Sequence, residues 1–396
     1  MSADERLATI GSEWVRLDEA VVVWGDSDEA ARSRGLGVEA ATVQPRTDDL
    51  RLVTQIGRVF EHAHPNVPVV LNKGRYLVVQ LDEEHRQIDA RDAACYQVRP
   101  LTPGETVFRT VAPPASAPDP SIQALVDEVS RNSLEGYLTQ VASFPTRFSL
   151  SADFATAAAW AHDELEGLGF ATQALPISVE SGTSLNVIAD RPGRGPEPRG
   201  LVVVCAHLDS INVDGGPSAP APGADDNGSG AAALLEIGRV LASHSASHDL
   251  RLILFGGEEQ GLYGSQQHVE ALPASERSRV LAVINMDMVA TLNTPAATVL
   301  LEGAPVSQAL IEDLAAAATT YTTLVVQTSL NAERSDHRPF IDAGMPAVLT
   351  IEGTDSGNGN VHTAADTLAH IDYGLALEIV RMNVATAAAA LSGANA

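Results

Sequence analysis

Apolar runs recur along this 396-residue chain, and several of them end on an imidazole or a carboxylate. Leu201-Val202-Val203-Val204-Cys205-Ala206 leads into His207. Leu250 to Phe255 leads, through Gly256 and Gly257, into the pair Glu258-Glu259. Val280 to Met286 leads into Asp287. Between these runs lie stretches with helical spacing: Phe154 to Leu168, Ser229 to Ser243, a segment from Gln260, Val306 to Thr320, and Tyr373 to Leu391. Short, fully apolar runs alternating with amphipathic helices predict an α/β fold with a largely parallel sheet covered on both faces. Ligand sites in such sheets open at the strand ends and the loops that follow them, where these polar residues lie.

Composition narrows the function. The formal net charge of −26 predicts a solvated acidic surface and argues against a nucleic-acid partner, which needs basic stripes. The two cysteines, Cys95 and Cys205, fall in different proposed domains, so no disulfide framework is expected, and Cys205 reads as a small core residue. The first residues lack a basic segment followed by an apolar one, and no run reads as a membrane span. By sequence the expectation is a cytoplasmic chain, or a secreted one if a leader has been removed, with no membrane partner.

Proline density in Thr110 to Ser121 marks a semi-stiff linker at 111–121. Residues 1–110 are expected to form a small α/β domain, with a hairpin turn at Asn72-Lys73-Gly74, a helix over Leu50 to His62, and no readable chemistry. The pair His62 and His64 reads as part of a solvated loop. Residues 122–396 form the main domain.

The polar residues of that main domain suit a metal. Imidazole and carboxylate together favour zinc and related ions. His207 has Asp209 two residues on, a partner for its second ring nitrogen. Gly223-Ala224-Asp225-Asp226-Asn227-Gly228 is a tight acidic loop opening a helix, and two adjacent carboxylates there repel unless a cation is near. Glu258 and Glu259 follow two glycines, so one can bind metal while the other serves as general base. Asp287 interrupts an apolar strand, where an unpartnered carboxylate is costly. His362 follows the Gly/Asn-rich stretch Gly353 to Asn360.

In order, A-H-L-D-S, G-A-D-D-N-G-S-G, G-G-E-E-Q-G-L-Y-G-S, N-M-D-M and V-H-T-A-A-D-T-L resemble the M28 zinc aminopeptidases of the bacterial leucyl type, across Ile122 to Leu391 and including Ser143-Phe144-Pro145-Thr146-Arg147-Phe148. The resemblance implies an α/β/α sandwich with a mixed, largely parallel central sheet (the phosphorylase/hydrolase-like zinc peptidase fold). It implies two Zn²⁺ per chain, one held by His207 and Asp287, the other by Glu259 and His362, bridged by Asp225 and a hydroxide or water. Glu258 would be the catalytic base, Asp209 would orient His207, and Arg334 is a possible substrate contact. The Asp225–Asp226 peptide bond is expected to be cis. The implied substrates are peptides with a free N-terminus, with a preference for large apolar first residues.

The same fold hosts carboxypeptidases and single-zinc cyclases. A carboxypeptidase needs cations for its substrate's carboxylate, and the one lysine, Lys73, lies outside the main domain. A cyclase needs one metal, against a full ligand set here. A non-catalytic peptidase-like binding domain would have lost ligands or the base, and all are retained.

Overall fold

The computed structural model describes residues 13–24, 49–82, 85, 88 and 96–393. Cys95 lies outside them. The chain divides into two compact units, Met1–Thr110 with Thr354–Gly359, and Val111–Gly353 with Asn360–Ala396.

In the first unit, β1 (Glu13–Leu17) pairs antiparallel with β2 (Ala20–Trp24) and parallel with β7 (Glu105–Val111). A four-stranded antiparallel sheet runs β4 (Val69–Lys73), β5 (Tyr76–Gln80), β3 (Leu50–Gln55), β6 (Tyr96–Pro100). The expected helix over Leu50 to His62 is therefore corrected. Leu50 to Gln55 is a strand between two partners, and only Val59–Ala63 is helical. Leu52, Val53 and Thr54 are buried residues suited to a pleated surface, and cross-strand pairing outweighs the helical reading of the stretch. The hairpin lies where expected, with Gly74 at φ +75° and its N–H bonded to Asn72 Oδ1 at 2.8 Å. His64 is not in a solvated loop: its Nε2 is 2.8 Å from Tyr96 Oη, beside Phe60.

The second unit carries the site. Its strands are hydrogen-bonded in the order β14 (Val325–Ser329), β13 (Thr298–Glu302), β15 (Ala347–Glu352), β12 (Val280–Met286), β10 (Leu201–His207), β11 (Asp249–Phe255), β9 (Gly182–Arg191), β8 (Ala171–Val179). β15, β12, β10 and β11 are mutually parallel, so the sheet's centre is parallel and the flanking pairs are mixed. β10 is buried throughout. Val202, Val204 and Ala206 face one core with the helices Ala152–Gly167, Gly230–Leu241 and Tyr373–Ser392. Leu201, Val203 and Cys205 face a second core with Val269 and Phe340 from the helices on the other side. A strand covered on both faces reads as an unbroken apolar run, which is why it was visible in sequence.

The closing helix runs over Tyr373–Ser392. It is long and apolar enough to cross a membrane by composition, yet 72% of its most apolar window is buried inside the protein. It serves as a core helix, its Leu375, Ile379, Val380 and Val384 packed into the first core.

Because β10, β11 and β12 run parallel, His207, Glu258 and Asp287 all emerge from the same end of the sheet.

Candidate metal centre

His207 is the last residue of β10 and is buried. Its Nδ1 lies 3.1 Å from the backbone carbonyl of Asp209. That contact places the proton on Nδ1 and leaves the Nε2 lone pair free for a metal. Nε2 lies 3.3 Å from Asp287 Oδ1 and 3.4 Å from Asp226 Oδ1. His362 Nε2 lies 3.0 Å from Asp226 Oδ2 and 2.9 Å from Glu259 Oε2. The geometry is thus two buried triads, His207–Asp226–Asp287 and Asp226–Glu259–His362, each with ligand atoms within 4.8 Å of one another. Asp226 belongs to both, one oxygen facing each histidine.

This placement corrects the sequence reading at one residue. Asp225 was expected between the two sites, and Asp226 is there instead. Asp225 Oδ1 accepts the Ala290 N–H at 3.0 Å, and Asp225 belongs to neither triad. The loop leaves no choice. The Asp366 carboxylate accepts the N–H of Asp225 through Oδ1 and of Asp226 through Oδ2, each at 3.0 Å. Asn227 is pinned from both ends of its amide: Nδ2 donates to Met286 O at 2.9 Å, and Oδ1 accepts from Gly230 N and Met288 N. The cis peptide bond is Asp226–Asn227, also one residue beyond the expected one. At the loop entry, Gly223 adopts φ +48°, and a Cβ there would stand 2.3 Å from Asp226 O.

Asp209 acts on more than His207. Its Oδ1 is 3.6 Å from His207 Nδ1, outside hydrogen-bond range. The carboxylate instead accepts the N–H of Glu258 (3.3 Å) and of Glu259 (3.2 Å) and the Ser149 hydroxyl (3.0 Å). It fixes the backbone of the acid pair, while its own carbonyl fixes the histidine. Ser149 also accepts the Gly257 N–H at 2.7 Å, and Gly257 turns at φ +71°. On Asp287, Ser335 Oγ donates to Oδ2 at 2.8 Å and itself accepts from Asn285 Nδ2 at 2.8 Å.

The electrostatics call for cations. Burial raises the Glu258 pKa well above the ordinary carboxylate value, and Asp287, Asp336 and Glu259 add to the rise. Burial and the Asp226 charge push Glu259 up to about 7. Burial works against a charged Asp226 too, but hydrogen bonds to His207 and His362 outweigh it and hold its carboxyl below the usual range. Burial disfavours the imidazolium of both histidines, yet the surrounding acids raise both pKa values well above normal. Without metal, protons must offset the crowded negative charge. Glu259 Oε1 is buried with no hydrogen-bond partner, an orphan acceptor that a cation would satisfy.

One fixed cation stands behind the ligands. Arg147 is 0% exposed. Its Nε donates to Leu208 O at 2.7 Å, Nη2 to Gly223 O at 2.9 Å, and Nη1 to Val141 O at 3.3 Å and to Pro222 O. It ties the strand end carrying His207 to the loop carrying Asp226. Burial lowers its pKa to about 10, with Asp366, Asp209 and Asp226 holding it up, so it stays charged. Arg147→Met strands these carbonyls and removes the charge, and should cost about 3–5 kcal/mol in urea unfolding. A loss below 1 kcal/mol would refute the tie.

Sequence reasoning missed the parts of Arg147, Ser149, Ser335 and Asp366. Arg147 and Asp366 lay inside the motifs already singled out, at positions without an evident ligand role. Arg334, the possible substrate contact, is half-buried and makes no hydrogen bond among the described residues. Two non-glycine residues of the centre, Met288 (φ +53°) and His362 (φ +59°), adopt the left-handed backbone region, a strain that clusters at functional sites.

The family model "Peptidase family M28" matches residues 186–387, a little over half the chain. Leucine aminopeptidase 1 of Coccidioides posadasii is 30% identical over 282 residues, covering 66% of this chain and 72% of that protein. Leupeptin-inactivating enzyme 1 of Streptomyces exfoliatus is 32% identical over 197 residues, and the match spans only 41% of that protein's length. In fold, a zinc aminopeptidase from Bacillus subtilis superposes with a TM-score of 0.60 over 68% of this chain and 97% of its own, at 17% identity. On the strength of the family match and the two-thirds coverage of a 30%-identical relative, this chain belongs to peptidase family M28.

Proposed function

We propose that this chain is a co-catalytic dizinc aminopeptidase, removing the N-terminal residue from peptides. The observation that carries the reading is Asp226 set between two histidines, each of which also faces a second carboxylate. Two imidazoles with three carboxylates, one shared, suit a pair of zinc-class ions. His207 and Asp287 would hold one ion, Glu259 and His362 the other, with Asp226 common to both. When bound, such ions polarise the scissile carbonyl and acidify the attacking water.

The remaining chemistry belongs to the chain. Glu258 is buried beside the ligands with a raised pKa, the condition for a carboxylate that must accept and return a proton near neutrality. It takes the proton of the attacking water and delivers it to the leaving amine. Its main chain is held by the Asp209 carboxylate, and its carbonyl accepts the N–H of Gly261 and Leu262 at 2.8 and 2.9 Å, so its position is set before substrate arrives. Arg334 is assigned to the substrate's carbonyl side. The acid-rich pocket favours a cationic α-amine over a carboxylate end, which supports aminopeptidase over carboxypeptidase action. The homologous names that include leucine aminopeptidase support a preference for large apolar first residues.

The test pairs metal content with substrate form. Purified protein is expected to hold about two zinc ions per chain. It should hydrolyse a leucyl chromogenic amide, lose that activity to a chelator, and leave the N-acetylated amide intact. Equal hydrolysis of both forms refutes aminopeptidase action, and full activity without metal refutes the centre.

The clamp on the bridging loop gives a further expectation. Asp366→Asn keeps the shape but turns an N–H₂ toward one of the two amide donors. It should weaken zinc affinity about 10–100-fold, read by competition with a chromogenic chelator. An unchanged affinity would remove Asp366 from this part.

A further inference from the structure

A cationic cavity lies at the end of the sheet opposite the metal centre. β9 ends on Arg191, which pairs with Leu250 near the start of β11. The metal-binding turn follows the other end of β11, after Phe255, roughly 17 Å away at ordinary strand rise. Arg191, Arg194, His244 and His248 line the cavity of about 190 Å³, with Leu241 and Leu391 among its apolar walls.

Its charge is unusual for this chain. The net charge is −26, and the neighbouring Arg199, Arg251 and Arg279 are paired with Asp249, Asp190 or Glu276. Neither Arg191 nor Arg194 has a carboxylate partner among the described residues. Asp249, which starts β11, is taken up by Arg199, Arg279 and the Gly193 N–H. Arg191 spends Nη1 on the Leu241 carbonyl, at 3.1 Å, and makes no other side-chain bond. Burial lowers its pKa, and the Arg194 charge adds to the fall.

The histidines add donors. Burial, then Arg191, holds the His244 pKa below its ordinary value, so the ring is neutral at neutral pH. Its Nε2 is buried and has no hydrogen-bond partner. His248 Nδ1 accepts the Gly200 N–H at 3.0 Å, which puts its own proton on Nε2. Two guanidiniums and two imidazoles, with no acid in the wall among the described residues, select an anion. The leucine side chains beside them select an apolar tail. The volume is below the 300–1,000 Å³ typical of drug-sized ligands, so the tail is short.

We propose that this cavity binds a small organic carboxylate with a short branched or straight apolar tail, at a site separate from the metal centre and independent of the peptidase reading. The carboxylate lies between Arg191 and Arg194, and the tail lies against Leu241 and Leu391. Inorganic phosphate shares the anionic chemistry but leaves the apolar wall uncovered.

Calorimetric titration of the full-length, zinc-loaded protein tests this, with 4-methylpentanoate, acetate, phosphate and 4-methylpentanol as separate probes. The expected result is a Kd of about 1 mM or tighter for 4-methylpentanoate, with the other three at least about tenfold weaker. Arg194 is exposed, so Arg194→Met should fold normally, weaken 4-methylpentanoate at least about tenfold and leave peptide hydrolysis unchanged. The same affinity in chelator-treated protein separates this site from carboxylate binding to zinc. The proposal is overturned by no binding, by phosphate binding as tightly as 4-methylpentanoate, by an affinity untouched in Arg194→Met, or by binding that vanishes with the metal.

Discussion

Glu258→Gln is expected to lower kcat by about 10²–10⁴-fold while two zinc ions remain bound. The amide keeps the size of the carboxylate but cannot accept a proton. Glu258 is absent from both metal triads, so its loss should leave the ligand geometry intact. The change should fall on kcat with little movement in KM, because the proton transfer is made in the transition state rather than on binding. Metal analysis must accompany the kinetics. A variant that retains both metals and full activity removes Glu258 from the base role. A variant that loses metal shows it to be a ligand, and the roles of Glu258 and Glu259 would then have to be reassigned.

Asp226→Asn and Asp225→Asn should behave very differently, although the residues are neighbours. Asp226 has one oxygen toward each histidine, and an amide can offer only one of its two positions as an acceptor. Asp226→Asn should therefore lose at least one metal ion per chain and cut activity by roughly 10³-fold or more, comparable to losing a catalytic group. Asp225 is bonded to the Ala290 N–H and belongs to neither triad. Asp225→Asn retains an acceptor for that N–H, so metal content should be unchanged and the effect confined to stability, about 1–2 kcal/mol. The reverse outcome, metal lost in Asp225→Asn and kept in Asp226→Asn, would restore the reading made from the sequence alone.

That contrast shows where the sequence stops being legible. His207, Glu259, Asp287 and His362 could be picked out because each follows a recognisable run or lies in a distinctive motif, and the parallel strands then brought three of the segments to one end of the sheet. The choice between Asp225 and Asp226 has no such signal. It is decided by Asp366, about 140 positions away in the chain, and by the Asn227 amide, neither of which leaves a periodic trace. The same holds for Arg147. An arginine in a loop reads as solvated, and only the fold shows four carbonyls converging on it. The strands β8, β13 and β14 were also unread. β8 is mostly exposed along its length and β14 only partly buried, so β8 and β14 lack the unbroken apolar run that betrayed β10, while β13 is buried but short. In the first unit, Leu50 to Gln55 was read with the wrong periodicity because a short apolar stretch fits either element.

His362 and Asp366 lie four residues apart, and the structure gives them complementary tasks: the first faces Asp226 through its ring, the second grips the main chain of that same aspartate. Grasp and contact thus arrive on a single short stretch of polypeptide. Should that stretch swing away, the shared aspartate would lose its neighbour and its anchorage at one stroke. Half-assembled forms of the centre should accordingly be scarce, and loading with metal should proceed as an abrupt, concerted event rather than as two graded steps.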